Sequence, residues 1–172
     1  VTGLLESRRI VVCAHHDQVA LSPGSVRTQE NRPFSVFTPF KKRWTVLHAE
    51  QGGKPVLAAP GPQIVTEVNS SPVPTCVAGF DCDVDATLWP AGENAAMSAL
   101  RTFATERIDR YASDRDFPAI AATSRQSVSL ATGVLSPRQC LAAAIEADGG
   151  KLDGGRAGPT QWISAMVWRE GY

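Results

Sequence analysis

The sequence predicts a mixed chain, part α/β and part all-α, divided by a long connection. Three observations predict it. Residues 9–13 (Arg-Ile-Val-Val-Cys) are a short β-branched apolar run, the pattern of a buried strand. Residues 49–91 hold six prolines and little periodicity. A structureless loop that long does not suit the interior of one domain, so it reads as an interdomain linker. From Gly92 onward apolar residues recur at helical spacing. The expected organisation is 1–48, a unit holding a strand and a helix; 49–91, a linker; and 92–172, a helical unit.

Composition is compatible with folded structure throughout. The chain has 172 residues, 17 basic and 17 acidic side chains, and 43% hydrophobic content. Zero net charge excludes the strongly basic signature of a nucleic-acid coat protein but leaves room for a local basic patch. No run of about 18 apolar residues occurs, so no membrane span is expected. The first nine residues place their arginines after the short apolar stretch, the reverse of a signal peptide. A cytoplasmic location is expected. Cysteines fall at 13, 76, 82 and 140 without a CxxC; free thiols are expected, with Cys76 and Cys82 close enough in sequence for a clip. The chain begins with Val1, and its last stretch, 162–172, reads as a helix without a Gly or Asn stop. It is therefore expected to be part of something longer.

The elements follow in order. After the strand, His15-His16-Asp17 offers metal-binding side chains without a third ligand set nearby. A weaker strand-and-turn segment, 18–26, reaches a turn at Pro23-Gly24. Thr38 suits a helix cap and Pro39 the first helical position, with Phe40, Trp44 and Leu47 on one stripe. Lys41-Lys42-Arg43 faces mostly away from that stripe, as a solvated face or an anion or nucleic-acid contact. A helix is expected over 92–111, with Met97, Leu100, Phe103, Ile108 and Tyr111 on its apolar positions. Ser136-Pro137-Arg138-Gln139 is a capping box that opens a helix stopped by Gly149-Gly150. Pro159 begins the last helix.

Two stretches carry chemistry. Thr123-Ser124-Arg125-Gln126-Ser127 packs three hydroxyls and a guanidinium into five residues. It reads as a phosphate cradle or as a Ser/Thr-rich capping segment. In the last helix, Trp162, Ala165, Arg169 and Tyr172 share one face with Trp168 at its edge; Ile163, Met166 and Val167 lie opposite. Two aromatics and an arginine can stack on a flavin or a base and meet a phosphate. An aromatic core with a snorkelling arginine has the same pattern. Tyr111 and Arg115, four apart, can point the same way. No nucleophile with an oriented histidine, no metal set and no carboxylate pair is apparent, so any catalysis must rest on a cofactor.

These motifs, taken in series, resemble the photolyase/cryptochrome family, most closely its bacterial class I cyclobutane pyrimidine dimer DNA photolyases. The resemblance runs through Val36-Phe37-Thr38-Pro39-Phe40-Lys41, Trp89-Pro90-Ala91-Gly92-Glu93, Asp114-Arg115-Asp116-Phe117-Pro118-Ala119 and Thr123-Ser124-Arg125. It continues through Ser129-Leu130-Ala131-Thr132-Gly133-Val134-Leu135-Ser136-Pro137-Arg138-Gln139-Cys140 and Trp168-Arg169-Glu170-Gly171-Tyr172. It implies the tail of a Rossmann-like α/β antenna domain, then the first helices of a helical FAD-binding domain. The implied activity is light-driven, FAD-dependent repair of pyrimidine dimers, a carbon–carbon lyase reaction. An antenna chromophore such as a folate serves the whole protein.

By position, the resemblance implies FAD contacts at Tyr111, Thr123, Ser124, Arg125, Gln126, Ser127, Trp162 and Arg169. It implies DNA contacts at Arg115, Ala165, Trp168, Arg169 and Tyr172, with no metal and no membrane partner, in a monomer. No catalytic residue is assigned in this stretch, which by itself is expected to be inactive. Three positions depart from the pattern: Gln126 replaces leucine, Ala165 replaces a glutamate that hydrogen-bonds the lesion, and Gly171 replaces an aromatic. A cryptochrome-like photoreceptor and an inactive truncated remnant are the alternatives.

Overall fold

The computed structural model describes residues 2–171, leaving out Ala14, 52–55, Leu57, Ala59, 65–68, Val73, Thr75, Asp81, Cys82 and Ala86. Its elements are α1 (Thr2–Ser7), α2 (Phe37–Glu50), α3 (Glu93–Glu106), a 3-10 turn (Ile108–Arg110), α4 (Tyr111–Asp114), α5 (Ser127–Ala131), α6 (Pro137–Ala147) and α7 (Ala157–Glu170). The described residues contain helices and turns and no strand.

The strand expected over 9–13 is therefore corrected. Ile10 is 48% and Val11 86% exposed. The Arg8 and Ile10 N–H groups both donate to the Leu5 carbonyl, with Arg9 at φ 60°, so the run begins by terminating α1. A strand needs a neighbouring ladder to satisfy its backbone, and the described residues provide none. Segment 18–26 likewise forms no strand, although its turn at Pro23-Gly24 is present and Ala20 and Leu21 are buried.

α2 starts at Phe37, before the Thr38–Pro39 pair that the sequence favours. Its N-cap is Val36, in extended conformation and without a side-chain cap. Tertiary packing supplies the missing stabilisation: the Phe37 ring stacks on Trp168 of α7, with centroids 4.1 Å apart and planes 14° apart. The expected stripe is otherwise present, with Phe40 and Trp44 buried and Leu47 packed against the core.

The helix expected over 92–111 is broken. α3 ends at Glu106, Arg107 leaves helical geometry at φ −128°, and the 3-10 turn and α4 follow. The cause lies in α7. A Cβ on Gly158 would sit 2.0 Å from the Ile108 carbonyl oxygen and 2.5 Å from that of Asp109. The start of α7 rests directly on the backbone of the turn, and only glycine permits that approach. Arg156 fixes the same corner, bridging Asp109 at 2.6 Å and the buried Asp148 at 3.3 Å.

α6 follows its sequence signals. Ser136 Oγ accepts from the Gln139 N–H at 3.3 Å, and Gln139 Oε1 accepts from the Ser136 N–H at 2.8 Å. Gly149 and Gly150 end it at φ 65° and 90°, a region other residues rarely enter. α7 starts two residues before Pro159. It is the central element, packing against α2, α4, α6 and the 3-10 turn. One core joins both ends of the chain: Leu21, Phe40 and Trp44 cluster with Leu100, Phe103, Leu141, Trp162, Ile163 and Val167. Every described residue from Gln51 to Gly92 is exposed. No helix among the described residues is long and apolar enough to cross a membrane.

Candidate functional site

The hydroxyl-rich loop is held from behind and displays its polar groups in front. Gln126 is 2% exposed, and its Nε2 donates to the Ala96 carbonyl of α3 at 3.5 Å. Arg107 Nη1 donates to the Ala121 carbonyl at 3.3 Å. With Gln126 turned inward, its neighbours point outward. Arg125 adopts φ 53°, an uncommon left-handed conformation for a side chain of its size. Such strain persists only where the surroundings hold it. The Thr123 and Ser127 hydroxyls and the Arg125 guanidinium are exposed and make no hydrogen bond or ion pair among the described residues. Ser124 Oγ accepts from the Gln126 N–H at 3.4 Å. Two free hydroxyls and a free guanidinium beside the first turn of α5 are a donor set that suits a phosphate.

Beside this loop, between α3 and α5, runs a groove of about 530 Å³. Trp89, Gly92, Arg107, Ser124, Arg125 and Ser129 are among its lining residues. It brings the Trp89–Gly92 motif against the hydroxyl-rich one. Arg107 was not singled out in the sequence. It lies over the Phe103 ring at 5.9 Å, and its Nε is buried without a partner. Its position four residues after Phe103 was the available signal.

The aromatic residues divide differently from expectation. Trp162 is 1% exposed and packs on Phe103 at 4.9 Å, and Tyr111 meets the other side of Phe103 edge-on at 5.8 Å. Trp162 is thus a core residue of this chain and presents no open face. The one-sided reading of the last helix fails because α7 is packed from several directions, so an amphipathic stripe does not describe it. Arg115 sits over the Tyr111 ring at 5.8 Å, with its Nε 3.4 Å from Asp116. Ala165 is half-buried.

At the end of α7, three consecutive residues reach the N-terminal part of the chain. Trp168, 42% exposed, stacks on Phe37. Arg169 donates from Nη1 to the Gln18 carbonyl at 2.7 Å, and from Nη2 to Gln18 Oε1 at 2.9 Å and the Leu130 carbonyl at 3.2 Å. Glu170 accepts from the Ala20 N–H at 2.5 Å, the Leu21 N–H at 3.3 Å and Trp44 Nε1 at 2.7 Å. Arg169, expected at cofactor and DNA, is already largely committed inside the chain. Glu170 is the residue of that motif to which the sequence reading gave no role, because its partners lie 126 to 150 positions away and no local spacing encodes them. Tyr172 lies outside the described residues.

Burial pushes the Cys140 thiol up to about 12, with the nearby Arg169 charge pulling the other way. Burial lowers His48, whose ring stacks on Trp44 at 4.8 Å. Asp17 faces Arg138 at 3.6 Å, and no group of three or more metal-ligating side chains occurs among the described residues. Cys13, Cys76 and Cys140 are free thiols; Cys82 lies outside the described residues.

No protein-family model matches the chain. Individual proteins do. It is 39% identical over 163 residues to a deoxyribodipyrimidine photo-lyase of Salmonella typhimurium, covering 94% of this chain. It is 40% identical over 166 residues to that of Escherichia coli, covering 95%. It spans 34% of the length of both relatives. A class III photolyase structure from Agrobacterium tumefaciens superposes with a TM-score of 0.71 at 24% identity, over 98% of this chain and 35% of that one. At that identity the superposition shows a photolyase-like fold. The arrangement described above therefore has the fold of a segment of that structure, helical in its described residues.

Proposed function

We propose that the full-length protein is a deoxyribodipyrimidine photolyase, opening cyclobutane pyrimidine dimers in DNA with light and FAD. The observation that carries this is the colinear identity of 39–40% over nearly all of this chain to two bacterial photolyases. In this reading, 1–48 end the α/β antenna domain, 49–91 link, and 92–172 begin the FAD-binding domain. Reduced FAD, when bound, supplies a light-excited electron that splits the cyclobutane ring and is then returned.

The chain's own residues supply binding and orientation. The uncommitted donors of Thr123, Arg125 and Ser127 hold the FAD phosphates, with Ser124, Gln126 and Tyr111 supporting them. Trp162, sealed behind Tyr111 and Phe103, backs the pocket and helps keep water from it. Trp168 offers an exposed aromatic surface to an unstacked base, held in orientation by Phe37. Arg115 and Arg169 contribute positive charge on the DNA side, joined by Tyr172. Ala165 leaves a gap where the family glutamate would bond the lesion. An antenna chromophore such as a folate, a monomeric state and a cytoplasmic location belong to the same reading.

Ala165 favours one second reading, a cryptochrome-like photoreceptor that binds flavin without repair. The test is dimer loss from irradiated DNA with full-length reduced protein, in blue light and in darkness. The proposal expects light-dependent loss by the native protein. Full flavin loading without dimer loss, reversed by Ala165→Glu, would favour the photoreceptor.

A further inference from the structure

Arg169 is held by three acceptors that carry no charge. Its Nη1 donates to the Gln18 carbonyl at 2.7 Å, and its Nη2 donates to Gln18 Oε1 at 2.9 Å and to the Leu130 carbonyl at 3.2 Å. It is half-buried and has no ion-pair partner among the described residues. Glu170, the neighbouring acid, instead accepts from the Ala20 and Leu21 N–H groups and from Trp44 Nε1. The Arg169 Nε–H and one Nη1–H make no hydrogen bond among the described residues. The guanidinium therefore has a fixed direction, an uncancelled charge and donors to spare.

Gln18 supplies two of the three acceptors, and its own place is fixed from both sides. Before it, the His16 carbonyl accepts from Arg138 Nη2 at 2.9 Å, and Asp17 faces Arg138 Nη1 at 3.6 Å. After it, Ala20 and Leu21 are buried and tied to Glu170. Its side chain lies against the turn after α5: a Cβ on Gly133, which has φ 75°, would come 3.0 Å from Gln18 Nε2. The Gln18 carboxamide thus rests between Gly133 and the guanidinium, with Oε1 aimed at Arg169.

A carboxylate in this place would hold Arg169 equally well but would cancel its charge. A carboxamide holds the guanidinium and leaves the charge for another anion. We infer that Gln18 is a positioning residue, whose carboxamide aims Arg169 at a phosphate without neutralising it. The inference rests on the photolyase reading, in which that phosphate belongs to DNA or to FAD. Holding a long side chain in advance lowers the ordering cost of binding, and a charged donor makes the stronger hydrogen bond to a phosphate oxygen.

The test compares full-length native protein with Gln18→Ala, which frees Arg169 but keeps its charge, and with Gln18→Glu, which keeps it held but pairs the charge. Each protein is assayed for melting temperature, for FAD affinity by titration of the apoprotein, and for affinity to a dimer-containing duplex by fluorescence anisotropy across a salt series. For the ligand that supplies the phosphate, Gln18→Ala should weaken binding about two- to tenfold. Gln18→Glu should weaken it on the order of tenfold or more, with a melting temperature at or above the native one. Where that ligand is DNA, the slope of log affinity against log salt should fall by about 1 in Gln18→Glu and stay native in Gln18→Ala. Native affinity for both ligands in either variant would overturn the inference. So would a loss in Gln18→Glu that comes only with a lowered melting temperature, the result a merely structural contact gives. A native protein that binds neither FAD nor the duplex would overturn the photolyase reading, and the inference with it.

Discussion

Glu170 ties the last helix to the segment that precedes α2. Its carboxylate accepts two backbone N–H groups and the Trp44 indole, all part-buried. Hydrogen bonds to a charged group contribute about 1.5–3 kcal/mol, so Glu170→Gln should lower stability by about that much by the same measure. Urea unfolding followed by tryptophan fluorescence reads this directly, since Trp44 is itself a partner. Cys140 makes the opposite kind of prediction. Its buried thiol, raised to about 12, stays protonated at ordinary pH. Iodoacetamide at pH 8 should modify the exposed Cys13 and Cys76 in the native protein and reach Cys140 only in urea; peptide mass analysis distinguishes them. Residues of this kind were only partly legible. Trp168, Arg169 and Glu170 stood out as a run, but their partners Phe37, Gln18 and Trp44 are distant in sequence, and pairing at that range leaves no local trace.

Among the elements, those set by local chemistry were read correctly and those set by distant packing were not. The capping box and the paired glycines fix α6 from within a dozen residues. The start of α2 moved because a ring on α7 stacks on Phe37, and the 92–111 helix broke because Gly158 of α7 lies on Ile108 and Asp109. The expected strand failed for the same class of reason, since an apolar run cannot pair with a neighbour the described chain does not hold. The Gly158 contact gives a test at this scale. Gly158→Ala should destabilise by about 2–3 kcal/mol through overpacking. Gly171→Ala, whose Cβ would meet Phe40 at an ordinary 3.4 Å, should stay within about 0.5 kcal/mol. Parallel thermal melts compare the two.

For the whole molecule, α7 gathers what the sequence scatters. The core joins residues 20–44 to residues 96–167, so the two ends of the chain fold against one another. Around that core the polar display is uneven: the Thr123–Ser127 donors face outward, while Arg169 and Trp162 are engaged within. The Thr123–Ser127 loop is therefore the part of this segment proposed to hold FAD. The most direct measurement is FAD affinity by fluorescence titration of full-length apoprotein, native against Arg125→Ala/Ser127→Ala. Losing a charge-assisted contact of about 1.5–3 kcal/mol should weaken binding by at least tenfold, with the thermal stability of the apoprotein unchanged. Equal FAD affinity in both proteins, or no FAD binding by the native one, would contradict it.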